Sequence, residues 1–449
     1  MLFFPYCYNL KIPEKTPNLD TIRVQLTQEL IGNLGPVLRK ANTEYLCWDD
    51  YKSIAMPAGI APEQAWAVLK MYRSLQVRSL PLIDPKGNAF TYWLPDCVLK
   101  DINFIDRHVG GSILVHDPSV PSEERRRCMV RSLVDEAISS SQIEGAATSR
   151  AAAKEMLRTG RRPRDRSERM IFNNYEALQM IKGHLQEPLT TDLILALHAR
   201  MTRDTLEDTA WEGRFRTTVD RAMHVLDSDD QTVLYEPPDA LGIAGSMRGL
   251  CEFANSDNRD EFVNPVIKGI LLHFWLAYVH PFMDGNGPIA RALFYWYLLK
   301  HRYWGFEYLS VSTAILSDRM QYYRSFLHTE RDGNDATYFI VYNLKEIRRA
   351  IETLDEYIRE KQKEKKQTYR LSAKYSSVNP RQRMLLASAF EKPNELYAIE
   401  THANVHAVTY QTARTDLLGL ESMGLLKMKK DGKKFVFTPV RDLKEKLEE

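Results

Sequence analysis

Two apolar runs, residues 265–282 (PVIKGILLHFWLAYVHPF) and 289–304 (IARALFYWYLLKHRYW), constrain this chain more than any other feature. Both are apolar nearly all the way round, which marks buried helices rather than surface ones. The chain must therefore build a helical core, with whatever lies between the runs held on a rigid platform. What lies there is His280-Pro281-Phe282-Met283-Asp284-Gly285-Asn286-Gly287-Pro288-Ile289-Ala290-Arg291, a base, a carboxylate, two glycines, an amide and an arginine within a dozen residues. Glycines on either side of Asn286 let backbone N–H groups turn towards a ligand, and Pro288 suits the first turn of a helix, whose N-terminus attracts anions. A phosphate fits such a place. His280 can take a proton near neutral pH, and Asp284 offers a hard oxygen to a magnesium ion travelling with the phosphate. The plain alternative is a helix–loop–helix connection whose polar residues cap helix ends.

Length and composition narrow the class. A chain of 449 residues exceeds one ordinary core, so two or three domains are expected. With 44% hydrophobic and 27% charged residues, neither disorder nor a membrane protein is indicated. The N-terminal MLFFPYCYNLKIPEK is apolar only briefly and lacks a basic leader, so it does not read as a signal peptide. Cys7, Cys47, Cys97, Cys128 and Cys251 have no paired spacing, which argues against a disulfide framework or a zinc site and for a reducing, cytoplasmic setting. Charge is uneven. From Arg359 onward there are 19 Lys and Arg against 12 Asp and Glu, a local excess of +7 in a chain of net charge +2. That bias suits a polyanionic partner or a plain solvated surface.

The stretch from His280 to Arg291 resembles the Fic motif, HPFx(D/E)GNGRxxR, with eight of its nine fixed positions present. Pro288 stands where the family usually has its first arginine. Enzymes of this family move a nucleotide monophosphate, usually AMP from ATP, onto a protein hydroxyl. The resemblance implies His280 as the catalytic base and Asp284 as the magnesium ligand. Gly285, Asn286, Gly287 and Arg291 would be the nucleotide-binding residues, with ATP as substrate and Mg2+ as cofactor.

Other stretches extend the resemblance. Between Ser122 and Met156 a helical pattern is broken at Ser139-Ser140-Ser141-Gln142-Ile143-Glu144-Gly145, a helix end with a carboxylate just before the stop. It is similar to the family's inhibitory motif, (S/T)xxxE(G/N), matched by Ser140, Glu144 and Gly145. In relatives of that type the glutamate pairs with the second motif arginine, here Arg291, and keeps ATP from a productive pose; a solvated Glu at a helix end is the other reading. The basic run 158–169 (RTGRRPRDRSER) reads as a solvated loop or a contact for nucleic acid or an acidic target. Residues 223–238 alternate around Asp227-Ser228-Asp229-Asp230 and stop at Pro237-Pro238, a hairpin signal. The family has a β-hairpin flap there, which implies a protein substrate docking on 224–238 by strand pairing. His184 and His198 read as helix residues without metal-ligand spacing, and His273 as one that packs or bonds locally.

Nearer the N-terminus, helices are expected over 20–40 and 61–74, followed by a hairpin around Asp84-Pro85-Lys86-Gly87-Asn88. Beyond Leu344, residues 346–367 form a charged helical connector. Three short helices and a hairpin with an Asp431-Gly432 turn then resemble a winged helix-turn-helix, with Ala403-Asn404-Val405 as its turn. A helix from about Ala407 would offer Thr409, Gln411, Thr412 and Arg414 to DNA. The fold class expected is mainly α: a Fic-type helical core with a β-hairpin flap and a C-terminal winged helix-turn-helix. The expected parts are residues 1–105, a catalytic domain over 106–350 with an inhibitory helix near 125–145, a connector over 351–375 and the winged helix over 376–449. The function this implies is a protein adenylyltransferase acting on a Ser, Thr or Tyr hydroxyl and restrained by Glu144. Alternatives are another donor, the reverse hydrolytic reaction, or a DNA-binding regulator with a Fic sensor domain. A homodimer stays open, and no membrane partner is expected.

Overall fold

The computed structural model of the chain describes residues 2–3, 12–110, 122–222, 224–226, 233–256, 262–374, 378–391, 395–406, 408–431 and 434–448. They fall into two compact units, Met1–Glu352 and Thr353–Glu449. Among the described residues no helix is long and apolar enough to cross a membrane.

The first unit is built on the two apolar runs, which form the leading helix Pro265–Val279 and the following helix Asn286–Lys300, packed against each other. The leading helix starts where it does because the Asn264 carboxamide accepts from the Val266 N–H at 2.8 Å and Pro265 occupies the first turn. From Val266 to Val279 every residue but Ala277 is buried, and in the following helix all of Pro288 to Leu299 is buried. Trp275, Phe274 and Trp296 lie wholly inside, and each such side chain contributes roughly 1.5–3 kcal/mol of transfer free energy. Lys268, the charged residue on the leading helix, donates to the Ser256 carbonyl at 2.7 Å.

Three further helices, Ser122–Ile143, Arg166–Gly183 and Thr191–Thr202, pack around this pair. The first of them is tied down by one buried carboxylate. Glu136 accepts from the Tyr295 hydroxyl at 2.9 Å, from the Ser310 hydroxyl and the Ser312 amide at 3.0 Å, and from the Ser312 hydroxyl. Burial raises its pKa, and those four donors act in the opposite sense. Ser139 to Ser141 lie inside the Ser122–Ile143 helix, which ends just before Gly145, where φ is +94°. Removing that glycine's freedom would cost backbone strain.

Elsewhere the expected elements form with shifted ends. The first helix runs over Gln28–Glu44 instead of 20–40, because the Thr27 hydroxyl caps it by accepting from Leu30 N–H at 3.1 Å. The helix expected over 61–74 is Pro62–Ser74, and strands Arg78–Ile83 and Ala89–Tyr92 pair antiparallel about the Asp84 turn. Asp84 closes that turn by accepting from Lys86 N–H at 2.9 Å and Asn88 N–H at 2.8 Å. The flap appears as antiparallel strands Val225–Leu226 and Val233–Tyr235; Asp227-Ser228-Asp229-Asp230 lie outside the described residues. Leu2–Phe3 pairs in parallel with Val225–Leu226, so that edge already has a neighbour.

Helix Thr337–Lys374 is continuous, so the expected connector is the later part of a helix that begins at Thr337. The second unit then has helix Pro380–Glu391, strand Tyr397–Ala398, helices Ile399–His406 and Tyr410–Ser422, and strands Leu426–Asp431 and Lys434–Pro439. The last strand lies between the other two. Leu386, Leu417, Leu420 and Phe437 fill its core. Ala403-Asn404-Val405 belongs to the last turns of its helix and is not the turn, which comes later, where the Thr409 hydroxyl caps the next helix by accepting from Thr412 N–H at 3.2 Å. Gly432 of the expected hairpin turn lies outside the described residues.

Candidate active site

His280 ends the leading helix, its N–H still bonded to the Leu276 carbonyl at 3.0 Å and its φ at +51° in the left-handed region. That conformation points the side chain back over the last turn, where Nδ1 lies 3.1 Å from the Ala277 carbonyl. A carbonyl can only accept, so Nδ1 carries the hydrogen and Nε2 keeps a bare lone pair. Nε2 is buried and has no hydrogen-bond partner. Burial pushes the imidazole pKa down to about 4, so the ring is neutral at physiological pH.

The loop after it is held mostly through its backbone. Arg216 donates from Nε to the His280 carbonyl at 2.8 Å and from Nη2 to the Pro238 carbonyl at 2.6 Å, while its own N–H reaches the Pro281 carbonyl at 2.9 Å. The far end of the flap is thereby tied to the start of the loop. Asn286 folds its carboxamide inward, accepting from Phe282 N–H at 2.9 Å and donating to the Phe282 carbonyl at 2.8 Å. Phe282 in turn stacks flat on His198, with ring centres 3.8 Å apart. His198 is wholly buried; its Nδ1 accepts from Gly213 N–H at 3.0 Å and its Nε2 donates to the Asp284 carbonyl at 3.0 Å. Burial lowers its pKa to about 4 as well, which fixes it as a neutral strut. Gly285 is required twice over: φ is +81°, and a Cβ there would come within 2.8 Å of Thr202 Cγ2.

Asp284 is half-buried. One carboxylate oxygen accepts from Gly285 N–H at 2.7 Å and the other pairs with Arg166 Nη2 at 3.2 Å. Burial raises its pKa, against the Gly285 amide and the Arg166 guanidinium. The following helix opens on Asn286 and Gly287, whose amides have no partner within the helix. Against this end sits the carboxylate of Glu144, so close that a Cβ on Gly287 would collide with it. Arg291, only 3% exposed, donates from Nη2 to Glu144 Oε1 at 2.9 Å and to the Ser140 carbonyl at 3.0 Å, and from Nε to the Ser140 hydroxyl at 3.0 Å. Burial works against that charge and Glu144 sustains it, with the pKa above the ordinary arginine value.

The residues singled out from the sequence thus converge. His280, Gly287 and Glu144 line one cleft with Tyr235 of the flap, Tyr323 and Phe326. Asp284, Gly285 and Asn286 belong to the adjoining loop, Ser140 and Arg291 lie beneath, and Gly145 lets the chain turn away after Glu144. His273 is buried, with its Nε2 2.8 Å from the hydroxyl of Tyr322 on another helix. Three residues of the site carried no such reading: Arg166 within a basic run, His198 on a helix, and Arg216 in the sequence Gly213-Arg214-Phe215-Arg216. Among the described residues no group of three or more His, Cys, Asp or Glu could hold a metal. A magnesium ion held by one carboxylate together with substrate phosphates would need no such group, and Asp284 is the one carboxylate of the loop.

Comparison with known proteins agrees with this geometry. Residues 188–298 match the family model described as Fic/DOC family, a span that includes His198, the flap and the whole loop but not Glu144 or Arg166. Over 121 residues the chain is 31% identical to a protein from Nematostella vectensis named protein adenylyltransferase Fic, covering 26% of this chain and 25% of that protein. The chain therefore spans about a quarter of the length of that curated relative. A crystal structure of a Fic family protein from Desulfovibrio desulfuricans G20 covers 76% of this chain and 94% of its own, with 17% identity and a TM-score of 0.50, which bears on the fold alone.

Because Asn286 holds the loop through both bonds to Phe282, Asn286→Ala should lower the unfolding free energy by about 2 kcal/mol. Chemical denaturation of the two proteins measures this; an unchanged midpoint would mean the loop is held by other contacts.

Proposed function

We propose that this chain, which carries a Fic domain and with it belongs to the Fic/DOC family, transfers AMP from ATP to a hydroxyl of a protein target. The observation that carries the reading is the bare, buried Nε2 of His280 in a cleft shared with the amide end of a helix. A target hydroxyl in that cleft gives its proton to Nε2 as its oxygen bonds to the α-phosphorus. The bond from that phosphorus to the bridging oxygen breaks, and pyrophosphate leaves. The Asn286 and Gly287 amides face the phosphates, and Arg291, once free of Glu144, neutralises the leaving group. The aromatic walls at Tyr235, Tyr323 and Phe326 suit a planar base. Asp284 would hold a magnesium ion, which would supply positive charge to the bound phosphates.

Glu144 is the restraint in this reading. Its carboxylate occupies both the space above Gly287 and one arm of Arg291. A protein target reaches the Val225–Leu226 edge of the flap only in place of Leu2–Phe3. Pro288 is buried and brings no charge to the helix start, which favours a donor screen over several nucleotides.

Incubation with labelled ATP and mass spectrometry of the acceptor proteins tests this. Label transfer should fall to background in His280→Ala and rise about tenfold or more in Glu144→Gly, the factor expected from releasing one charge-assisted contact; equal labelling in both would sink the mechanism. Since His280 acts as a base with a pKa near 4, kcat/KM should hold from neutral pH down through 6.5 and fall only as pH drops towards 4. An acid limb centred at 6.5 would contradict the burial of the ring.

A second reading concerns the second unit, as a winged helix that contacts DNA. It is favoured by the exposure of Thr409, Gln411 and Arg414 at the start of the Tyr410–Ser422 helix. Thr412 is bonded to Thr409 and half-buried, which leaves it a weaker reader than the sequence suggested. Footprinting with the full chain should give a protected site that Arg414→Ala loses; no protection at low salt refutes DNA contact.

A further inference from the structure

A triphosphate brings several negative charges to a loop that already contains the Asp284 carboxylate, so the cations within reach decide whether it binds. Within the loop there is little to offer. Pro288 is uncharged and buried, and Arg291 is bound to Ser140 and Glu144. Arg216 is committed to the carbonyls of Val279, His280 and Pro238. One other guanidinium among the described residues is bonded to the loop, and it comes from outside it.

Arg166 is the first residue of the Arg166–Gly183 helix, fixed there by the Asp165 cap, whose carboxylate accepts from Glu168 N–H at 2.8 Å. Its Nε donates to the Thr205 carbonyl at 2.8 Å, and Nη2 reaches Asp284 at 3.2 Å. A guanidinium has five N–H donors, and these two contacts leave three. The side chain is 58% exposed. Arg166 is therefore anchored, charged, open to solvent and bonded to Asp284, two residues before Asn286, where the amides of the following helix begin. It is placed to grip an anion lying across those amides, with Asp284 steering the fork.

We propose that Arg166 is a donor-binding residue that contacts the phosphates beyond the α-phosphate, supplying the cation that the first turn of the following helix lacks. The inference rests on the nucleotide-transfer reading and adds to it a residue outside the matched family span. It makes the Arg166 contact a feature of polyphosphate recognition: a monophosphate, whose single phosphate lies at the amides near His280, does not reach it.

The test is calorimetric titration of ATP, ADP and AMP into full-length Glu144→Gly protein, with and without magnesium, in the backgrounds of Arg166, Arg166→Ala and Arg166→Lys. Arg162→Ala, at an exposed arginine of the same basic run, serves as the control for general charge. Arg166→Ala should weaken ATP about tenfold or more and leave AMP within about twofold. Arg166→Lys should recover part of the loss, and Arg162→Ala should match the parent. Equal effects on ATP and AMP, or none on either, overturn the proposal. So does tighter ATP binding by Arg166→Ala in magnesium, which would make Arg166 only a cover for Asp284. If the parent protein binds no nucleotide, the transfer reading fails and this falls with it; if the parent binds ATP and Arg166→Ala binds it equally, this alone fails.

Discussion

The charge of Arg291 is the constraint to which the rest of the first unit answers. It sits 3% exposed on a helix whose neighbours from Pro288 to Leu299 are all buried, and an unpaired cation there would be strongly destabilising. The Ser122–Ile143 helix meets that demand with three acceptors close together: the Ser140 hydroxyl, the Ser140 carbonyl and the Glu144 carboxylate. Two of the three lie at a fixed place in the helix and one lies just beyond its end. In the proposed mechanism Glu144 is the ligand of the set that gives way, while the two bonds to Ser140 remain. Because the same carboxylate also fills the space above Gly287, one displacement frees both the cation and the amides.

A loop that must present reactive atoms cannot use those atoms to hold itself in shape. Here the holding is done by backbone groups and by side chains that face inward. Arg216 binds carbonyls, His198 bridges the Gly213 amide and the Asp284 carbonyl, and Asn286 closes on Phe282. The left-handed turns at His280 and Gly285 are tolerated because these contacts over-determine them. What is left uncommitted is His280 Nε2, Arg291 Nη1 and the amides at the helix start. The burial that makes the platform rigid also keeps His198 and His280 neutral, one as a strut and the other as the base of the proposed reaction.

Much of this was legible in the residues, and the limits of legibility have physical causes. The leading and following helices could be read because burial on every side leaves an apolar run with no polar face. The loop could be read because its chemistry is contiguous: base, acid and glycines lie within the eight residues from His280 to Gly287. Glu144 could be read only through a family pattern, since a serine-rich helix end with a carboxylate is ordinary in isolation. Arg166 could not be read at all; five other arginines lie between Arg158 and Arg169, and only the path of the chain selects the one beside Asp284. His198 was read as a helix residue without a partner, because its partners, Gly213 N–H and the Asp284 carbonyl, are backbone groups that no side-chain spacing reveals. The helix starting at Gln28 instead of Asp20 turns on one Thr27 cap, a local contact that apolar periodicity does not register. The Ala403 to Val405 turn is not where the sequence placed it: the earlier helix runs on to His406 and the next is capped at Thr409.

The two outside contributors to the loop are not independent of each other. Glu144 follows the Ser122–Ile143 helix and Arg166 opens the Arg166–Gly183 helix, and these two helices pack side by side. Just beyond Glu144, the Ala147 N–H donates to the Ser167 hydroxyl at 3.1 Å, and deeper in the same interface Asn174 donates to the Ser141 hydroxyl at 3.3 Å. Ser167 is the residue next to Arg166, and Ser141 the residue next to Ser140. The chain segment that carries the carboxylate on Arg291 is thus bonded to the segment that carries the guanidinium on Asp284. Glu144 and Arg166 therefore stand on neighbouring segments tied to each other by the Ser167 and Ser141 hydroxyls.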